Sequence, residues 1–189
     1  MQKHQRFYFH SVRFRFETLE KILDSGYILS RENSNFFLNN VTFNGNKWIS
    51  VCKYYDPYYS SYDYDLRSAY QTLVIDGISL VLDDSLPAIK TRFMSYDNLY
   101  SGVIKDDDDV RYSDCIDEYQ VKDSISKDHF VAVAYPYLHR LSKDAKKTQK
   151  EFDYIHYLLS KYHHDLPIID SSHCIIEEEL SKLEKRLIK

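Results

Sequence analysis

The chain has 189 residues, 43% hydrophobic and 29% charged, enough to bury the core of one compact domain, and its 4 Gly and 4 Pro are too scattered to mark a linker. A formal charge of -4, from 25 Lys and Arg against 29 Asp and Glu, provides no field that would gather nucleic acid or an anionic membrane. No apolar run approaches the ~20 residues that cross a bilayer or forms a secretory signal, and Cys52, Cys115 and Cys174 make neither a disulfide framework nor a CxxC site. The expectation is a cytoplasmic protein with reduced thiols, acting at home or delivered into another cell.

Residues 7–10, FYFH, alternate so that Phe7 and Phe9 share one face and Tyr8 and His10 the other, which predicts a strand ending at His10. Apolar positions Phe16, Leu19, Ile22 and Leu23 recur at three and four before Gly26, the pattern of a short amphipathic helix with a glycine stop, after which residues 27–29 extend again. Turn chemistry at Asn44, Gly45 and Asn46 leads into a second strand at residues 47–54, KWISVCKY. Next comes the tyrosine-dense stretch YDPYYSSYDYD; with 18 Tyr and 10 Phe in the chain, most of these rings are expected on half-buried strands or in the core.

Residues 66–75 read as a helix closed by Gly77, and residues 78–82, ISLVL, as a strand ended by Asp83 and Asp84. Further strands are expected at 102–104, 118–121 and 130–135, with KDDDDVRYSDCID between the first two as a polar surface loop. The segment SKDAKKTQKEFDYIHYLLSKY carries Phe152, Ile155, Leu158 and Leu159 on one helical face, and a second charged amphipathic helix starts at Ile175. Strands and helices without regular alternation predict an α+β fold.

No GxGxxG or GxxxxGK[ST] is present, so neither a Rossmann fingerprint nor a P-loop is available, and HExxH and GxSxG are missing as well. His163 and His164 are neighbours, about 100° apart on a helix, and cannot chelate one ion from one face. The run Asp106 to Asp109 lacks the spacing and distal Glu of a calcium loop and reads as solvated. No metal is expected.

Three segments taken in order resemble the ADP-ribosyltransferase superfamily of diphtheria-type toxins and poly(ADP-ribose) polymerases. FYFHSVRFRFETLEKILDSGYILS is similar to that family's opening strand, ending in His and a small residue, with its helix and following Gly and Ile-Leu. KWISVCKY resembles the middle strand with its Ser at the nicotinamide pocket, and DEYQVKDSISKDHFVAVAYP resembles the strand headed by the catalytic Glu.

The resemblance implies a split β-sheet core over about 7–140 that grips NAD as co-substrate, with C-terminal helices over about 141–189 completing a single domain of residues 1–189. It implies that Glu118 is the catalytic residue, accepting a hydrogen bond from the nicotinamide-ribose 2'-hydroxyl. His10 would bind the adenosine ribose, the backbone of Ser11 the nicotinamide carboxamide, and Ser50 would support the Glu or the ribose. Tyr62 would stack on nicotinamide, and the loop at 110–116, with Tyr112 exposed on it, would contact the acceptor. The implied reaction is transfer of ADP-ribose to a macromolecule, a protein by expectation. A carboxylate suits it because breaking the bond to nicotinamide leaves positive charge on the ribose.

The pattern also departs from the family. Ile116 stands where arginine-modifying relatives have Glu and asparagine-modifying toxins Gln, which points away from arginine as acceptor; Ser11 replaces a preferred Gly; and Ser50 lacks the adjoining Thr-Ser. Read without the resemblance, His10 fits a core histidine, Glu118 a solvated strand start and Ser50 a small strand residue. Two other functions are compatible with these residues: an interaction domain that has lost turnover, and an NAD glycohydrolase. An RNA 2'-phosphotransferase-like relative would need clustered basic residues that the chain does not display.

Overall fold

The computed structural model describes residues 6–30, 47–54, 68–93 and 112–188. The expectations for Asn44 to Asn46, for the tyrosine-dense stretch with Tyr62, for the strand at 102–104 and for Asp106 to Asp109 lie outside these residues. The fold is α+β, with one seven-stranded mixed sheet, helices on both of its faces and a helical C-terminal segment.

The chain runs through β1 (Phe7–Arg13), α1 (Phe16–Ser25), β2 (Tyr27–Leu29) and β3 (Trp48–Lys53). A π-helical turn, Tyr70–Val74, precedes β4 (Ile78–Asp83) and two short strands, β5 (Ile89–Lys90) and β6 (Arg92–Phe93). Then come β7 (Tyr112–Ser113), β8 (Glu118–Lys122), β9 (Ser124–Ser126) and β10 (Phe130–Tyr135). The remaining elements are α2 (Tyr137–Leu141), α3 (Ala145–Lys161), β11 (Ile168–Asp170) and α4 (Ile176–Leu187).

Sheet order is β11-β10-β4-β1-β3-β8-β5. Only β10 and β11 run parallel within it, which requires the long crossover through α2 and α3. Period-two alternation sorts the side chains onto two faces. Tyr8, Val12, Ile49, Val51 and Val121 pack in one buried cluster with Leu19, Leu23, Ile155 and Leu158 of α1 and α3. Phe7, Phe9, Cys52, Val81 and Ala134 pack on the other face with Tyr70 of the π turn and Ile176, Leu180 and Leu183 of α4.

Gly26 stops α1 as its position predicted. Its φ is 71°, a left-handed conformation that glycine adopts without a Cβ penalty, and its N–H donates to the carbonyl of Ile22 at 2.8 Å. Helix α3 begins on Asp144, whose carboxylate accepts the Lys147 N–H at 3.0 Å, and buries Ile155, Leu158 and Leu159 as the periodicity predicted. It is tied to α1 by Lys161 and Tyr162, which both donate to Glu20, and by His164 Nε2, 2.7 Å from the carbonyl of Leu23.

The sheet is thinly paired in its middle. Strands β1 and β4 pair from Phe7 opposite Asp83 to Arg13 opposite Ile78. By contrast, β1 and β3 pair only at Tyr8 with Lys53 and Phe9 with Cys52. Two halves, β11-β10-β4-β1 and β3-β8-β5, are thus joined by a two-residue ladder and diverge from His10 onward. His10 does not end β1, contrary to the expectation. The strand continues to Arg13 because β4 supplies a partner for Ser11 and, past a bulge, for Arg13.

Candidate active site

A cleft of about 260 Å³ opens where β1 and β3 part. It is walled by Phe9, His10 and Ser11 of β1 and by the β3 segment from Trp48 to Cys52, with Leu29, Ser30, Ala69, Leu73 and Glu118 closing its sides. Four of the residues singled out in the sequence, His10, Ser11, Ser50 and Glu118, therefore share one concavity despite coming from three strands.

His10 spans the gap. Its Nδ1 lies 2.9 Å from the backbone carbonyl of Ser50, an acceptor that β1 would have used had the strands stayed paired. A carbonyl can only accept, so Nδ1 carries the proton and Nε2 of the neutral ring is left as an acceptor. Burial lowers the pKa of His10, with the Ser50 hydrogen bond opposing, and the neutral ring is the favoured form.

Ser11 has its hydroxyl occupied, donating to the Leu73 carbonyl at 2.9 Å and accepting from the Arg13 N–H at 3.1 Å. That bond anchors the π turn against β1. Gly77 makes the approach possible, because a Cβ there would lie 2.6 Å from Cα of Arg13. Ser50 is half-buried, sits opposite Gln120 of β8 and turns toward the face opposite that of its neighbours Ile49 and Val51.

Glu118 opens β8 opposite Cys52. Its carbonyl accepts from both the N–H and the hydroxyl of Thr91, at 3.2 and 2.9 Å, and its carboxylate accepts from the hydroxyl of Ser113. The preceding residue, Asp117, is buried and has a different task. Its oxygens accept from the Ser68 hydroxyl at 2.7 Å and from the N–H groups of Ala69 and Tyr70 at 2.6 and 2.9 Å, capping the π turn. Burial raises the Asp117 carboxyl and these donors pull it back.

Tyr112 is not exposed on a loop. It is half-buried on β7, in register with Arg92 of β6, and does not line the cleft. Asp117, Ser113, Thr91 and Ser30 were not singled out in the sequence. Ser30 has a fully buried hydroxyl without a hydrogen-bond partner among the described residues and borders the cleft. The only sequence signal for it was its place just after the Ile-Leu of the opening motif.

Chemically the site offers a carboxylate, a neutral imidazole and hydroxyls against apolar walls. Burial pushes Cys52 up and Cys115 up to about 12, so neither thiol ionises near neutral pH to serve as a nucleophile. Among the described residues no group of three or more His, Cys, Asp or Glu is placed to hold a metal, and no helix is long and apolar enough to cross a membrane.

No protein-family model matches the chain, and no curated protein matches it in sequence. Among solved structures the chain is similar to Thermus sp. 2.9 DarT in complex with NAD+, with 12% sequence identity, 89% of this chain and 98% of that chain covered, and a TM-score of 0.48.

Proposed function

We propose that the chain is an NAD-dependent mono-ADP-ribosyltransferase that cleaves the bond between nicotinamide and ribose and transfers ADP-ribose to a macromolecule, by our reading a protein. The observation that carries this reading is the convergence of His10, Ser11, Ser50 and Glu118 on one cleft at the divergence of β1 and β3. The three motifs that resemble the ADP-ribosyltransferases supply these residues from separate parts of the sequence, and nothing in the motifs alone requires them to meet.

The cleft suits one end of the dinucleotide. At about 260 Å³ it lies just below the ~300 Å³ at which pockets for drug-sized ligands begin, which fits nicotinamide and its ribose and leaves the adenosine half to run past the rim. The Ser30 hydroxyl, buried and without a hydrogen-bond partner among the described residues, is a further polar group at the cleft. The neutral Nε2 of His10 is an acceptor suited to a hydroxyl of the adenosine ribose where that half leaves the cleft. Ser11 would act through its backbone, its hydroxyl being engaged elsewhere, and Ser50 would support the ribose from β3.

Glu118 accepts the 2'-hydroxyl of the nicotinamide ribose and stabilises the positive charge that develops as the C1'–N bond breaks and nicotinamide departs with the bonding electrons. A nucleophilic N–H or O–H group of the acceptor then gives its lone pair to C1' and releases its proton to solvent. Tyr112, on the strand that precedes Glu118, contacts the acceptor. The resemblance in sequence implies that Tyr62, which lies outside the described residues, stacks on nicotinamide.

The test is incubation of the purified protein with NAD labelled separately in the nicotinamide and in the adenylate. The expected result is nicotinamide release with adenylate label transferred to a macromolecule. Release without transfer would make the protein a glycohydrolase. Neither release nor NAD binding would leave an interaction domain.

A further inference from the structure

We propose that Ser113 is a positioning residue for the carboxylate of Glu118, an inference that rests on Glu118 being the catalytic group. A serine hydroxyl has one proton to give. That of Ser113 goes to Oε2 of Glu118, while its oxygen accepts the Cys115 N–H at 3.0 Å, so the hydroxyl cannot turn away without losing a bond. Ser113 is also buried, 4% exposed, and water does not readily replace it. Oε2 is thereby assigned to the protein and Oε1 is left for the substrate hydroxyl.

The support reaches further back. Ser113 lies on β7 in register with Phe93 of β6, and β6 follows directly on Thr91, which holds the carbonyl of Glu118 by two bonds. One short unit, Thr91 to Phe93 with β7, fixes both the backbone and the carboxylate of Glu118. A carboxylate at the first residue of a strand has a rotatable side chain, and a misplaced anion stabilises developing charge poorly. Ser113 thus removes the rotation that would otherwise be frozen at each turnover.

Steady-state nicotinamide release from NAD by Ser113→Ala, Ser113→Thr, Glu118→Gln and the Ala/Gln double variant tests this, with melting temperatures measured in parallel. Ser113→Ala should lower kcat about 10- to 100-fold, the range for a hydrogen bond to a charged group, with KM for NAD within about twofold. Ser113→Thr should restore most of the rate, and Ser113→Ala should cost nothing further once Glu118 is Gln. If Ser113→Ala fails to fold, Ser113→Cys takes its place: a lowered kcat at unchanged KM supports the role, and a wild-type kcat overturns it. A wild-type kcat in Ser113→Ala beside an inactive Glu118→Gln would overturn the positioning role alone. An active Glu118→Gln would overturn the reading beneath it. Loss of melting temperature and of kcat in both the Ala and Thr variants would make Ser113 structural.

Discussion

His10 and Ser50 join the two halves of the sheet one residue past the last β1–β3 pair: Nδ1 of His10 donates to the Ser50 carbonyl at 2.9 Å, beyond Phe9 opposite Cys52. A side chain thus replaces the backbone ladder where the cleft begins. The bond lets the sheet open for a ligand without leaving the buried carbonyl of β3 orphaned.

The first prediction concerns pH. Burial places the folded-state pKa of His10 below the ordinary value of 6.5, so above 6.5 the ring is neutral in both folded and unfolded chains and its contribution is complete. As pH falls below 6.5 the unfolded chain takes up the proton first, and this contribution is lost toward the lower folded-state pKa. Thermal melts from pH 7 to pH 5 should therefore fall more steeply for wild type than for His10→Asn. At pH 7 the variant should raise KM for NAD about tenfold, the loss of one hydrogen bond. Parallel melting curves would remove His10 from this role.

Asp117→Ala should destabilise the fold by about 3 kcal/mol, since it removes at once the buried carboxylate to which the Ser68 hydroxyl and two N–H groups donate. Asp117→Asn should also destabilise, because its amide turns a donor toward donors. Urea denaturation measures both. A loss under about 1 kcal/mol in Asp117→Ala would mean that water takes over the capping of the π turn.

Gly77→Ala should lower stability by about 1–3 kcal/mol, the range for overpacking. The new methyl would meet Arg13 Cα at 2.6 Å, the Leu73 carbonyl at 3.0 Å and the Ser11 hydroxyl at 3.2 Å, so the bulge of β1 has to move. Because Ser11 lines the cleft, the same variant should weaken NAD binding, read by calorimetric titration. Unaltered melting and affinity together would show that the bulge yields freely.

Tyr112→Ala should separate the two half-reactions. Acceptor labelling should drop about tenfold, as for one aromatic contact of about 1.4 kcal/mol, with nicotinamide release unchanged. An equal drop in both would place Tyr112 in support of the cleft instead.

Much of this fold was legible because its elements carry local signals. The Phe16, Leu19, Ile22 and Leu23 spacing with Gly26 gave α1, the Ile155, Leu158 and Leu159 face gave α3, and FVAVAY gave β10 to the residue. Apart from Tyr27–Leu29, short strands were not legible, since three residues such as Ile168–Asp170 become a strand only because β10 offers a parallel edge after a long crossover. The extent of β1 was misjudged at His10 for a related reason: the partners of Ser11 and Arg13 lie some seventy residues away on β4. In the cleft, His10, Ser11, Ser50 and Glu118 had been singled out by motif. Asp117 and Ser113 were not, because one is defined by donors nearly fifty residues distant and the other by a side-chain bond from β7 to the head of β8.

The most direct test of the central claim is nicotinamide release from NAD by Glu118→Gln beside wild type, with NAD affinity measured on both. The substitution keeps the shape of the side chain and removes its charge. Affinity should hold within a few-fold while release falls by a few hundredfold, about 3–4 kcal/mol of lost transition-state stabilisation. Release at the wild-type rate would contradict the assignment of Glu118 and, with it, the proposed chemistry of the cleft.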